Sequence, residues 1–439
     1  MNRTADRRVL MVAGVALALR LIMVAVFPGP DYYSGISVSY LDVVHNVLNG
    51  KGFSVYVDLA PIAVGTPQWA YVPFIDRPLG YVLLMLIPSV LSASPVLVQI
   101  LHAILGALSA VLLYRIGSRL ASEATAFRAG LVYAAWPLSA RFEITLLPDA
   151  VMSFFLLLTV WLALKALDPQ RPARWALASG LAFGAGLMMR PDILFLPLFL
   201  LAGLALQSWD RRALLNATAS FVVGAAVVVG IQTGRNYRVT DGAVLLLGLG
   251  NGISMWEGIS QFGDTLGTVY GDVRMTEREG YRSWAYPNGI ERDRTRFREA
   301  RRIIREHPGW YATLMARRVP VLLTPDWILT RRYALSLKDY LDETPGGTVV
   351  SFLREHPFAA GIRGLLILLQ YGSLIVAVMV LLRRRSDRWV WIPGLIIFYY
   401  VAVHIPTNAE PRYFYPVIPM VVLLAVQAFD DLRTRRQKV

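Results

Sequence analysis

Cysteine is absent from the 439 residues, which removes disulfide frameworks, thiolate nucleophiles and thiolate metal sites in one step. Charge is scarce as well, at 17% of residues, too little to clothe a water-soluble globule. Lysine is rare beside arginine, a compositional bias that suits a GC-rich bacterial genome. The five histidines, His45, His102, His307, His356 and His404, show no HExxH or comparable spacing, so no cofactor and no divalent metal is expected. The long apolar runs are nearly empty of ionisable groups, with Arg20 and His102 as the exceptions. An ion-coupled transporter would place acids near the bilayer midplane.

What is abundant is apolar surface: 55% of residues are hydrophobic, and several runs approach the ~20 residues a helix needs to cross the hydrocarbon core. The chain reads as an all-α polytopic membrane protein. Its net charge of +14 reflects loop arginines on one side of the membrane rather than nucleic-acid binding. Those arginines cluster at Arg3, Arg7 and Arg8, at Arg115, Arg119 and Arg128, at Arg211 and Arg212, in "RRRSDR", and in the C-terminal tail. The run at 9–27 is long for a cleaved signal and is read as a permanent span with its N-terminus in the cytoplasm.

Keeping every basic loop inside forces one decision. "LGYVLLMLIPSVL" (79–91) is too short to cross and contains a proline, so it is placed as a helix at the outer interface. Alternation then predicts about ten spans, at 9–27, 95–114, 126–140, 149–167, 174–189, 192–208, 213–233, 361–382, 389–404 and 416–430. The organisation expected is an N-terminal membrane module (1–233) that includes a first outer loop (28–94), an extracytoplasmic cap (234–358), and C-terminal spans (359–439). "RMTEREGYRSWAYPNGIERDRTRFREARRIIREHPGWY" in the cap reads as a solvated amphipathic helix in its second half, and "VPVLLTPDWIL" as an interface-lying piece. "REHP" occurs at 305–308 and at 354–357, too short to define a repeat.

This topology puts Asp31, Asp42, Asp58, Asp76, Glu143, Asp149 and Glu410 at one interface, so work at the outer membrane surface is expected. Asp31 in "FPGPD" is either a solvated turn residue or a carboxylate placed for base chemistry. Asp149 in "LLPDAVMSFF" is either a helix N-terminal acid favoured by the dipole or a functional one. Glu143 has Arg141 beside it as a ready ion-pair partner. Arg412 in "EPRYFYPVIP" begins a span, where a guanidinium either snorkels or grips a phosphate bidentately. Arg20 lies within the first span, able to snorkel, to pair with an acid or to meet a lipid headgroup.

The order of short motifs resembles the polyprenyl-phosphate-sugar-dependent glycosyltransferases of the GT-C superfamily, in the branch of protein O-mannosyltransferases and lipid A aminoarabinose transferases. "YLDVVHNVLNGKGFS" is similar to the first-loop pattern ending in Gly-x-Gly-Phe/Tyr, and "RPLGYVLLM" to the Arg-Pro-Pro-Gly-Tyr-Pro segment. "RIGSRL" resembles a cytoplasmic turn and "FEITLLPDAVMSFFLLL" an outer turn with a second acid opening a span. "RNYRVTDGAVLLLGLGNGISMWEG", "REHPGWY" and "EPRYFYPVIP" resemble segments of the large outer region and the closing motif.

The resemblance implies an inverting transfer from a polyprenyl-phosphate sugar to a glycan, lipid or protein acceptor, at the face of the inner (plasma) membrane turned to the periplasm or exterior. It implies an Asp base in the first loop. Relatives carry that acid about four residues before the tyrosine matching Tyr40, where this chain has Ile36. Asp31 is the nearest upstream acid, Asp42 lies on the other side, and Asp149 is the second acid. Arg412, Lys51 and Arg141 are the candidate phosphate ligands, with Tyr40, Glu143, Glu410 and Tyr413 as candidate substrate contacts. Two other functions fit the span count or the outer site: a lipid-linked-sugar flippase or transporter, and an oligosaccharide polymerase or ligase using a diphosphate-linked donor.

Overall fold

A computed structural model describes residues 3–30, 34–61, 63, 65–168, 171–206, 211–243, 245–262, 266, 271, 275, 277, 279–280, 286–325, 340–341 and 344–436. Helices dominate, and among the described residues six are long and apolar enough to cross a membrane: Asp6–Val26, Pro95–Leu120, Pro148–Lys165, Arg211–Val239, Ala360–Arg383 and Pro411–Asp431. The chain is therefore a multi-pass membrane protein. Of the other four expected spans, 174–189 coincides with one 18-residue helix, Pro172–Met189, and the remaining three with shorter helical pieces. One is broken in two: α5 (Glu123–Ala134) stops before α6 (Pro137–Phe142). There Pro137 supplies no N–H, and Trp136 takes an extended conformation at φ −67°, ψ 112°.

The bundle opens with α1 (Arg3–Val26), α2 (Ser34–Leu48), α3 (Gly80–Ser89) and α4 (Pro95–Leu120). After α5 and α6 come α7 (Met152–Lys165), α8 (Pro172–Met189), α9 (Leu196–Ala205) and α10 (Arg211–Val239). Buried residues make up 56%, 72% and 78% of the apolar windows at 95–120, 148–165 and 411–431, against 17–22% for the other three long helices. The first set forms the interior, and the second turns its apolar side outward, as lipid-facing helices do. Helix α8 lies tight against α10: a Cβ on Gly224 would fall 2.9 Å from the Leu181 amide nitrogen, so only glycine permits the approach.

The bundle has two chemically distinct ends. At the basic end Arg8 pairs with Glu123 at 3.4 Å, Arg128 with Asp430, and Arg384 Nε donates to Asp431 at 2.7 Å. At the other end Gln99 gathers the chain: its amide donates to the carbonyls of Phe27 (3.0 Å) and Ile144 (3.1 Å), and its oxygen accepts from Gly29 N at 2.7 Å.

The first outer loop proves to be structured. Helix α2 leads into a hairpin of β1 (Ser54–Asp58) and β2 (Trp69–Pro73), antiparallel with Tyr56 opposite Tyr71. Asp58 closes the hairpin by accepting from Ala60 N (3.0 Å) and Gln68 N (2.7 Å). The expected short helix follows as α3, ten residues with Pro88 inside. Tyr40 packs edge-on against Tyr81 (4.9 Å) and Phe74 (6.1 Å), fixing α2 to the "DRPLGY" segment.

Cap elements are α11 (Asn251–Ser260), α12 (Asn288–Glu306), α13 (Pro308–Leu323) and α14 (Val349–Glu355), followed by α15 (Pro357–Arg383), α16 (Trp391–His404) and α17 (Ile418–Arg436). Helix α12 is the expected mixed-charge helix, with Arg302 bound to Glu299 and Glu306. Residues 326–329 of "VPVLLTPDWIL" lie outside the described residues. The two "REHP" copies build one and the same junction: a helix ends at Glu, His307 (φ −130°, ψ 57°) or His356 (φ −127°, ψ 55°) links, and proline opens the next helix. A residue before proline is driven out of the helical region, and proline suits the first helical position.

The cap is tied down at two places. Leu249 N donates to Ile75 O at 3.0 Å, beside the "DRPLGY" segment. Arg318, fully buried, donates to Gly258 O (2.5 Å), Ile405 O (2.8 Å) and Pro406 O (3.1 Å), while Gln261 Nε2 donates to Ala409 O at 2.5 Å. The segment leading to Arg412 is thereby held from above.

Candidate active site at the cap end

Four chain segments converge beneath the clamped 405–409 stretch. A 3-10 turn (Pro148–Val151) precedes α7 and carries Asp149; another (Pro191–Ile193) follows Arg190 at the end of α8. The last turn of α16 brings His404, and a third 3-10 turn (Pro411–Val417) brings Arg412 and Tyr413. Each segment is short and begins with proline or ends a helix, so its polar side chains are presented where the apolar helices stop.

Asp149 is buried and shared between two guanidiniums. One belongs to Arg190, which forms a direct ion pair with Asp149 and also reaches Asp192 Oδ2 at 3.0 Å. The other is Arg412, whose Nε stands 3.9 Å from Asp149 Oδ1 and 2.9 Å from Glu410 Oε2. Arg412 Nη2 and the Tyr413 hydroxyl both donate to Glu410 Oε1 at 2.9 Å. Arg190 sits 4.4 Å from the centre of the Tyr413 ring, whose other neighbour, His404, stacks on it at 4.7 Å. His404 Nε2 lies 3.3 Å from Asp192 Oδ2, and the Tyr399 hydroxyl donates to the Asp192 carbonyl. The result is a continuous chain of polar contacts: Glu410, Arg412, Asp149, Arg190, Asp192, His404.

Such an arrangement holds two guanidiniums around one buried carboxylate. Two preorganised cations can receive charge that develops on a departing phosphate. Asp192 Oδ1 has no hydrogen-bond partner among the described residues.

The structure unites Asp149, Arg412, Glu410 and Tyr413 of the residues singled out from sequence. Arg190, Asp192 and His404 were not singled out; their sequence signal is "RPD" between two apolar runs, and a histidine closing another.

Asp31 lies outside the described residues. Its described flanks are anchored: Gly29 on Gln99, and Ser37 by a 2.9 Å bond to Leu146 O, three residues before Asp149. Asp42 stands on the exposed side of α2 with no ion pair among the described residues. Lys51 is exposed in its turn, its ammonium 5.4 Å from the Tyr71 ring centre. Tyr40 is enclosed by Phe74, Tyr81 and the Arg77 guanidinium (5.3 Å), a packing role.

Glu143 is bound elsewhere than its neighbour suggested. Its partner is Arg20, 123 positions away, with Nε at 2.6 Å and Nη2 at 2.5 Å from Oε2; Tyr133 donates to the other oxygen. Arg20 also donates to the carbonyls of Ala16 and Ala134, each at 3.1 Å. Glycine at 106 makes the room, since a Cβ there would fall 2.5 Å from Glu143 Oε2. Arg141 turns away and lies 4.2 Å over the Phe27 ring. Arg141 is as buried as Arg20, at 1% against 0%, so burial does not choose between them; the packing that brings Arg20 onto Glu143 and lays Arg141 over Phe27 does.

Where the cap meets the first loop, burial lifts the Asp76 carboxyl to about 6; Arg77 and Arg292 pull against that rise, and Asp293 adds to it. Asp293 itself caps α11, accepting from Gly250 N and Gly252 N at 3.0 Å.

Residues 73–233 match the family model described as dolichyl-phosphate-mannose-protein mannosyltransferase. No curated protein matches the chain by sequence. Over the whole fold, the chain is similar to the archaeal oligosaccharyltransferase AglB from Archaeoglobus fulgidus, solved in complex with an inhibitory peptide and a dolichol-phosphate. That match has a TM-score of 0.52 and 13% identity, and covers 99% of this chain and 51% of the other. The same enzyme tethered to an acceptor peptide gives 0.53 at 11% identity, with 100% and 51% covered; its apo form gives 0.53 at 14%, with 100% and 52% covered. The chain thus spans about half the length of these oligosaccharyltransferases. Its fold is that of the matched half of this oligosaccharyltransferase. The segment matching the mannosyltransferase family model includes Asp149 and Arg190 of the chain of polar contacts.

Proposed function

We propose that the protein transfers a sugar from a polyprenyl-phosphate carrier to an acceptor at the cap end of the membrane bundle. The observation that carries this reading is the buried Asp149 held between Arg190 and Arg412. The acceptor oxygen or nitrogen attacks the anomeric carbon, the bond from that carbon to the phosphate oxygen breaks, and polyprenyl phosphate departs with the electron pair. The acceptor proton passes to a carboxylate. The leaving group is already a phosphate, so its main need is cationic stabilisation, which Arg412 and Arg190 supply. The acceptor needs a base and an orientation, for which Asp31 and Asp149 are the assigned acids. Attack opposite the phosphate inverts the anomeric centre.

Arginines gathered at the basic end support a cytoplasmic basic face and a cap facing the periplasm or exterior of the plasma (inner) membrane. A carrier anchored in the bilayer suits a site made where apolar helices end. No metal is assigned to the reaction.

The likeness to an oligosaccharyltransferase favours one second reading, a diphosphate-linked oligosaccharide donor. Protein in vesicles, given labelled polyprenyl-phosphate sugar or its diphosphate-linked counterpart, separates the two. The proposal expects a new glycoside and free polyprenyl phosphate from the first donor. Product from the diphosphate donor alone would replace it with the polymerase or ligase reading, and sugar crossing the membrane with no glycoside would replace it with transport.

A further inference from the structure

At the opposite end of the bundle from Arg412 the structure holds a cavity of about 760 Å³, between α15, α17 and the turn joining α4 to α5. One side is a stripe of α15, in which Val376, Met379, Val380, Arg383 and Arg384 recur at helical spacing and face the cavity. From Val376 to Arg383 that stripe rises about 10 Å, and it changes from apolar to cationic along the way. Leu120 and Phe429 extend the apolar part, and Arg119 joins the cationic mouth. Met379 and Phe429 are also exposed on the outer surface of the bundle, at 38% and 65%, so the apolar half is continuous with the lipid-facing side.

With Arg128, which pairs with Asp430, the mouth holds four arginines against three aspartates, a net excess of one positive charge. Three acids line it, and each is already engaged. Asp430 is held by Arg128 and by the Thr125 hydroxyl at 2.6 Å. Asp431 accepts from Arg384 Nε at 2.7 Å. Asp387 accepts from Trp389 N at 3.1 Å and stands 3.6 Å from Arg384. Arg119 donates only to the Leu164 carbonyl, at 2.9 Å, and Arg383 has no hydrogen bond or ion pair among the described residues. Two guanidinium charges are therefore left without a carboxylate, directly above an apolar trough.

The geometry points to a binding site for one anionic, phosphate-bearing lipid of the leaflet at the basic end, its phosphate between Arg119 and Arg383 and its acyl chains along Val376, Met379 and Val380. A free phosphate would satisfy the arginines but leave the apolar trough empty. A zwitterionic lipid would fill the trough but bring no net charge to the mouth. The site is independent of the sugar-transfer reading, since it lies at the other end of α17.

The test uses the full chain purified in detergent, with apparent unfolding temperature and native mass spectrometry as readouts. The probes are dioctanoyl phosphatidylglycerol, dioctanoyl phosphatidylcholine and inorganic phosphate. The expected result is a saturable stabilisation and one retained lipid with phosphatidylglycerol alone. Arg119→Gln with Arg383→Gln should weaken that binding about tenfold, the scale of two lost charge-assisted contacts. Val376→Trp keeps both arginines and fills the trough, and it should abolish lipid retention. Equal lipid binding by the double variant and by Val376→Trp would overturn the proposal, as would a stabilisation by inorganic phosphate equal to that by the lipid.

Discussion

Two buried ionic clusters lie near the cap end of one bundle, and they are built on opposite plans. In the Arg20 and Glu143 cluster both carboxylate oxygens are bound, the guanidinium donates to two helix carbonyls, and neither side chain is more than 2% exposed. In the Asp149 cluster one carboxylate is divided between two guanidiniums, Arg412 stands off at 3.9 Å, and Asp192 Oδ1 lacks a hydrogen bond among the described residues. A closed cluster fixes helices to one another. An open one, in which three carboxylates surround two guanidiniums and Arg412 stands off the shared acid, can exchange a contact for a charged guest.

The comparison breaks most visibly on the open side. Asp149→Asn and Arg412→Ala should each lower the rate of sugar transfer by about 10²–10³, the range seen when a transition-state charge partner is removed. Both should leave the apparent unfolding temperature within a few degrees of the parent. On the closed side, Glu143→Gln leaves Arg20 charged and unpaired in the interior, so it should cost about 3–5 kcal/mol of stability. Its turnover per folded molecule should stay near the parent's, as read by transfer assays normalised to folded protein.

Asp76 gives a smaller effect with a defined sign. Its carboxyl titrates about two units above the ordinary 3.8, so the folded state holds the proton more tightly than the unfolded state. The stability this contributes is complete below pH 4 and is lost as pH rises through 6, up to ~3 kcal/mol in all. Asp76→Asn should therefore unfold at a higher temperature than the parent at pH 7.5, and at the same temperature near pH 4. The smallest effects are expected at the exposed candidates: Asp42→Asn and Lys51→Ala should change transfer by no more than about threefold, as for solvated surface charges.

Much of the architecture was legible because hydropathy, proline and arginine placement are local signals. The short helix at 80–89 and the amphipathic helix 288–306 follow from rules that act over a few residues, whereas the break at Pro137 inside the span expected at 126–140 was missed although proline is a local signal. The first outer loop shows how a stretch such as "YLDVVHNVLNGKGFS" is a helix and a strand edge rather than loose chain. The site was legible in part. Asp149 and Arg412 each open a helical run, a pattern visible in one dimension, but Arg190, Asp192 and His404 become functional only through contacts between segments far apart in sequence. For the same reason Arg141, two positions from Glu143, looked like its partner, while Arg20 was the true one. Proximity along the chain carries no information about which of two buried arginines the packing aims at the carboxylate.

The most direct measurement is a single-turnover transfer from a polyprenyl-phosphate sugar in vesicles, run in parallel for the parent, Arg412→Ala and Glu143→Gln at matched amounts of folded protein. The account predicts glycoside formation near the parent level for Glu143→Gln and a loss of about 10²–10³ for Arg412→Ala. Equal transfer by the parent and Arg412→Ala would contradict it.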